Sequence, residues 1–207
     1  MEPYLTVSGR AAAEFEVRGS RFVGHVAPAD TVAAAEAFVE AVADEYDDAT
    51  HNVPAYRVPA GDGTARSPGE VMLREYSSDD GEPTGSAGKP ALNVLQQGDV
   101  ERVAAVVTRY YGGTNLGVGG LARAYSSAVK EGLDAAGVVE EVPHERVVLT
   151  AEYDDSGTVR GILESEGVEF DADYDAEVTF AARVAVEDAG DLRDRLRSAT
   201  SGRVDIE

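Results

Sequence analysis

The sequence contains no cysteine, and only two of its 18 basic residues are lysine, Lys89 and Lys130. Without cysteine there is no disulfide and no thiolate zinc site, and only His25, His51 and His144 could offer imidazole to a metal, so neither metal nor cofactor is expected. No apolar run approaches the roughly 20 residues that span a bilayer. Met1-Glu2-Pro3 does not begin the basic-then-apolar pattern of a signal peptide, so a soluble cytoplasmic protein without membrane contact is expected. What the chain has in excess is acid: 39 Asp and Glu against 18 Lys and Arg, a net charge of −21. At about 1 M salt the Debye length is only ~3 Å, which screens the self-repulsion such a chain suffers in dilute buffer. The acidity therefore reads as adaptation to a salty, halophilic solvent, with an acidic protein of ordinary salt as the alternative. It also opposes long-range attraction to nucleic acid, and no DNA specificity is expected.

With 207 residues, 43% of them hydrophobic, the chain has enough apolar material for one domain or two small ones. Residues 4–27 alternate weakly, which predicts two or three strands turning at Gly9 and Gly19. Val32, Ala35, Val39, Val42 and Tyr46 then recur at helical spacing behind Asp30 or Thr31 as a cap. Residues 51–58 and 70–76 read as strands separated by a polar, solvent-facing Gly/Pro loop. Gly88-Lys89-Pro90 opens a short helix ending near Gly98, residues 103–111 form a buried strand, and a helix beginning near Gly119 buries Leu121, Ala124, Ala128, Gly132 and Ala135. A boundary falls near Val142-Pro143. Beyond it, alternation at residues 147–153 and 178–186, with helical spacing at Val159, Ile162, Leu163 and at Leu192, Leu196, gives the order βαββαβ. The expected class is α+β, with a first domain at residues 1–140 and a ferredoxin-like second domain at residues 144–207.

Two stretches are rich in glycine: residues 78–90 and residues 112–120, the latter with five glycines in nine positions. Such clusters mark positive φ or close backbone approach. Gly117-x-Gly119-x-x-Ala122 formally matches the dinucleotide fingerprint, with Glu140 further on, but five residues separate it from Tyr111, so the tight strand-to-helix turn is missing. A phosphate-binding P-loop fails because Val118 stands where its lysine belongs. What remains is a helix N-terminus with free amides and glycines that admit an anion, bracketed by Arg109 and Arg123. Lys89 adds a third cation, and Tyr110 or Tyr111 a ring for stacking on a base. Asp79, Asp80 and Glu82 form a carboxylate cluster that could hold a hard cation or share a proton, but it fits no calcium-loop spacing, and the favoured reading is that Asp79 or Asp80 bonds its own turn backbone while Glu82 caps or pairs.

Four segments taken together resemble the IMPACT/YigZ family: Ser20-Arg21-Phe22-x-x-His25; Ala49-Thr50-His51-Asn52; Ser78-Asp79-Asp80-Gly81-Glu82-Pro83-x-Gly85-x-Ala87-Gly88-Lys89-Pro90; and Thr108-Arg109-Tyr110-Tyr111-Gly112-Gly113-x-x-Leu116-Gly117-x-Gly119-Gly120-Leu121-x-Arg123-Ala124-Tyr125. Val53 follows the His-Asn pair where family patterns usually carry cysteine or a related residue. The resemblance implies a first domain with the fold of domain IV of elongation factor G and of a small-subunit ribosomal protein, then a domain similar to that factor's domain V. It also implies a link to translation: eukaryotic relatives, which carry an additional domain, compete for the ribosome-associated activator of a kinase.

The combined expectation is a non-catalytic cytoplasmic protein binding the ribosome, structured RNA or a translation-associated protein. Its contact face comprises Lys89, Arg109, Tyr110, Tyr111, Gly112, Gly113, Gly117, Gly119, Gly120 and Arg123. The alternative is an enzyme on a small phosphorylated or carboxylated substrate, with His51 as acid, Asp79, Asp80 and Glu82 as base or cation ligands, and the Gly-rich loop holding the anion.

Overall fold

A computed structural model describes residues 3–60 and 72–207. The chain divides into two units, Tyr4–Glu141 and a second one containing Val142–Glu207. The polar loop expected after residue 58, together with the first residues of the strand expected at 70–76, lies outside the described residues in large part.

In the first unit the elements run β1 (Tyr4–Val7), β2 (Ala11–Val17), β3 (Ser20–Pro28), α1 (Val32–Glu45), β4 (His51–Pro59), β5 (Leu73–Ser77), α2 (Gly88–Gln97), β6 (Val103–Tyr110), α3 (Val118–Ala136) and β7 (Val138–Glu141). Five strands form an antiparallel sheet in the order β2-β3-β6-β4-β5. Strand β6 lies at its centre and reads as an almost unbroken apolar run because both its faces are covered. Val103, Ala105 and Val107 pack with α2 and α3, while Ala104 meets α1 residues through a second cluster with Tyr56 and Val58. Pro54 sits inside β4, where a missing N–H usually breaks a ladder. Its carbonyl accepts from Ser78 N just beyond the end of β5, so Pro54 N faces the same side, where no strand partner remains and no ladder bond is lost.

Thr31 caps α1 by accepting from Ala34 N (3.1 Å). Helix α3 lies tight on β3: a Cβ at Gly24 would fall 1.9 Å from Ala128 O, so only glycine allows this approach. Its buried stripe is Leu121, Ala124, Tyr125, Ala128, Val129, Gly132, Leu133 and Ala136. Ala135, expected inside, is exposed, because a helix starting at Val118 places Ala136 over the sheet at that turn. Strand β7 had no sequence signal of its own. It pairs antiparallel with β1 from Tyr4↔Glu141 to Val7↔Val138, an arrangement that alternation in two four-residue strands is too short to announce.

The second unit contains β8 (His144–Ala151), α4 (Tyr153–Ser165), β9 (Glu169–Tyr174), β10 (Val178–Ala185), α5 (Ala189–Ala199) and β11 (Asp205–Ile206). The antiparallel order β11-β8-β10-β9 is that of a ferredoxin-like βαββαβ domain. Val147, Leu149, Val178, Phe180 and Val184 meet Val159, Leu163, Leu192 and Leu196 in one core. Tyr153, expected at a strand end, is the first helical residue instead. Asp154 and Asp155 follow it in the first turn, where the helix dipole favours carboxylates. Asp155 also receives a two-pronged bond from Arg203 (2.7 Å each), which holds its carboxyl below the usual range.

Candidate functional site

The turn after β5 carries three carboxylates, and each is held by different partners. Asp79 accepts from the backbone N–H groups of Gly85 (2.7 Å), Gly88 (2.9 Å) and Ala87 (3.1 Å). Gly88 opens α2, whose N-cap Ala87 has no side-chain cap, so Asp79 supplies the negative charge that this helix end attracts. Burial opposes its ionisation, yet the three amides outweigh burial and hold the carboxyl below its ordinary value. Asp80 adopts φ 44° and accepts from Asn52 N (2.6 Å) through its carboxylate, while its carbonyl accepts from His51 Nδ1 (2.6 Å).

Glu82 is 9% exposed and points inward. Its Oε1 accepts from Arg109 Nη1 (2.5 Å) and from the Tyr125 hydroxyl (2.8 Å), and lies 3.8 Å from His51 Nε2. Burial, then the neighbouring Glu82 charge, drive the Tyr125 hydroxyl far above its usual range, so it stays a neutral donor. Arg109 is 5% exposed, packed between the Phe22 and Tyr111 rings, and its Nη2 donates to Ser20 Oγ (3.3 Å). The two Gly-rich segments are thus joined through a buried Glu82–Arg109 pair, which links the β5–α2 turn to the end of β6 and to α3.

A second polar chain runs beside this one. His25 Nε2 donates to Thr108 Oγ1 (3.2 Å), Thr108 donates to Asn52 Oδ1 (2.7 Å), and Asn52 Nδ2 donates to Tyr46 O at the end of α1 (3.0 Å). Burial lowers the His25 pKa, which keeps its imidazole neutral inside the sheet. Ser20, Asn52, Thr108 and Tyr125 were not among the expected site residues. Their available signal was the polar pair Thr108-Arg109 closing the apolar run of β6, since a polar group in a doubly covered strand needs a partner.

The downstream segment is arranged differently. Gly112 meets backbone: a Cβ there would lie 1.9 Å from Gly19, and its N–H donates to Ser20 Oγ (3.2 Å). Gly113 and Gly117 have positive φ with open space above them. Gly117 caps α3 without a side-chain hydrogen bond, and no side chain among the described residues accepts from the amides of Val118, Gly119 or Gly120. Arg123 folds back over this turn, with Nη1 3.6 Å from where a Gly119 Cβ would sit. Arg123 and Lys89 are both exposed, and neither forms an ion pair or hydrogen bond among the described residues. Ser126 Oγ donates to Pro90 O (3.2 Å), which sets the first turn of α2 beside α3. Tyr111 is 46% exposed and donates to Asn115 Oδ1 (3.1 Å), whereas Tyr110 is half-buried, bonded to Asp48 and covered by Arg21.

Two expectations need correction. Arg109 is not available as half of an anion clamp with Arg123, because Glu82 already neutralises it in the interior. Gly112 serves close packing against Gly19 and not ligand access. The carboxylates follow the turn-bonding reading: Asp79 and Asp80 accept from backbone amides, and Glu82 pairs with Arg109 and Tyr125.

The chain is similar to known proteins. The Impact N-terminal domain matches residues 18–133, and a domain of unknown function, DUF1949, matches residues 149–203. The chain is 33% identical to IMPACT family member YvyE of Bacillus subtilis over 207 residues, covering all of this chain and 91% of that protein. It is 32% identical to IMPACT family member YigZ of Escherichia coli, covering all of this chain and 98% of that one. A crystal structure described as a hypothetical protein aligns over 100% of this chain and 97% of its own, with 32% identity and a TM-score of 0.68. The chain belongs to the IMPACT family. No helix among the described residues is long and apolar enough to cross a membrane.

Proposed function

We propose that this IMPACT family member is a non-catalytic, cytoplasmic binding protein of the translation machinery, and that its first domain contacts phosphate groups of ribosomal or other structured RNA at the start of α3. One observation supports the reading above all: of the cations near the two Gly-rich segments, Arg109 is spent on Glu82, while Arg123 stands exposed over the uncapped start of α3 and Lys89 stands exposed in the first turn of α2, which Ser126 holds beside α3. Free amides, a positive dipole end and a forked guanidinium match a phosphate oxygen, and exposed Tyr111 offers a base a ring to stack on. The family's link to translation supplies the class of partner. The acid–base alternative needs Asp79, Asp80, Glu82 and His51 free for a substrate. The first three carboxylates are instead engaged in separate networks, which favours binding over chemistry.

The net charge of −21 sets a condition on this interaction. High salt screens repulsion between the acidic protein and RNA, but also weakens each phosphate contact, so binding must rest on few, short contacts and on stacking. Co-sedimentation with ribosomal subunits across a potassium chloride series tests the idea. The wild type is expected in the ribosomal fractions and Lys89→Ala/Arg123→Ala is expected to leave them, with a salt slope smaller by about 2 in a companion RNA-binding titration. Equal behaviour of the two proteins, or absence of the wild type at every salt concentration, overturns the reading. Arg109→Ala is unsuitable as the probe, since it strands a buried Glu82.

A further inference from the structure

The last turn of α2, the fourth and fifth turns of α3 and the start of β7 border an open groove of about 390 Å³ that contains none of the residues of the candidate site described above. Its floor is Val94, Val100 and Leu133, all buried, and one wall is Val138, which is 44% exposed. Lys130 and Asp134 line it from the exposed face of α3. The size falls within the range of small-molecule pockets, about 300–1,000 Å³, and an apolar floor with a few convergent polar groups is their usual composition.

The two charged groups are the informative part. Lys130 and Asp134 are four residues apart on one helix, a spacing at which opposite charges ordinarily meet. Here they form no ion pair with each other or with any described residue, although both border the same opening. Lys130 is also one of only two lysines in the chain. Helix α2 ends at this opening, with Gly98 as its C-cap. The opening therefore offers one cationic point, one anionic point and an aliphatic floor.

We infer that this groove is a binding site for a small zwitterion with an apolar side chain, the chemistry of an aliphatic α-amino acid. Its carboxylate meets Lys130, its ammonium group meets Asp134, and its side chain covers Val94, Val100 and Leu133. A purely anionic or purely cationic aliphatic ligand satisfies one charged group and leaves the other facing a like charge or nothing. The site thus discriminates by requiring both charges on one small molecule.

Titration of the full chain with L-leucine, followed by backbone amide chemical shifts, tests this. Shifts are expected at Gly98, Leu133 and Val138 with a dissociation constant of about 1 mM or below. 4-Methylpentanoate, which lacks the ammonium group, and 3-methylbutylamine, which lacks the carboxylate, are each expected to bind at least about tenfold more weakly. Lys130→Gln and Asp134→Asn, both at exposed positions that leave the fold intact by circular dichroism, are expected to lose affinity to a similar extent. Absence of leucine binding at about ten times that concentration overturns the inference. So do shifts confined to other regions, or equal binding by the variants or by the two singly charged analogues.

Discussion

Residues 78–90 and residues 112–120 are both dense in glycine and both lead into a helix, and the Glu82–Arg109 pair ties the first to the strand that runs into the second. In the first, the chain's own acids complete the structure: Asp79 caps the amides that open α2 and Glu82 neutralises Arg109. In the second, Gly117 opens α3 with no side-chain cap, and Arg123 adds a cation to the uncapped turn. The difference teaches that glycine density alone does not make an anion site. What decides is whether a carboxylate stands within reach of the exposed amides. Asp79 lies six residues before Gly85 and nine before Gly88, a spacing that lets the turn fold back on itself. No acid follows Tyr111 until Glu131, so nothing local can fill the second helix start.

The largest blow to this arrangement is expected from Glu82→Ala. It leaves Arg109 charged and unpaired in the interior, a situation that costs about 3–5 kcal/mol. Hydrogen exchange should show amides of β6 losing protection by the corresponding factor while those of β8 and β10 keep theirs; unchanged β6 protection would mean the pair is not structural. Asp79→Ala comes next, at about 2–4 kcal/mol, since three amides lose a charged acceptor and only some regain water. This effect carries a pH signature. The folded Asp79 carboxyl titrates below its ordinary value of 3.8, so its stabilisation is complete above that value and disappears as the pH falls through the lower folded one. Wild type and Asp79→Asn should therefore differ in denaturant midpoint at neutral pH and converge in acid. A gap that does not narrow as the pH falls below the ordinary carboxylate range would contradict the assignment.

Smaller again is the contrast within the second segment. Gly112→Ala drives a methyl group into the Gly19 backbone and should cost about 2–3 kcal/mol, whereas Gly113→Ala meets open space and carries only the ~1 kcal/mol burden of its positive φ. Equal losses in a thermal unfolding comparison would show that the two glycines are not divided between packing and exposure.

Much of the fold was legible because the determining signals are local. Thr31 ahead of an apolar stripe, Pro90 inside the first turn of α2, Gly98 at its end and the alternation of β8 and β10 each act through neighbours a few residues away. Ala135 was misassigned because burial on a helix depends on its starting residue, and Tyr153 because alternation persists by chance into a helix start. The site was legible as a set of residues and not as a set of roles. Composition flagged Asp79, Glu82, Arg109 and Arg123 alike. Only distance separates the arginine that Glu82 holds from the one that points outward.

The order of residues was sufficient to specify two α+β domains, the helix starts and the placement of the two Gly-rich turns, because capping, periodicity and turn chemistry are short-range. Which charges remain available to a partner was settled by pairing across residues 27 apart, as with Glu82 and Arg109, and 28 apart, as with Asn52 and Asp80. Such pairings exist only once the sheet has set its register, since the energy of a charge depends on what surrounds it in space and not on its neighbours along the chain.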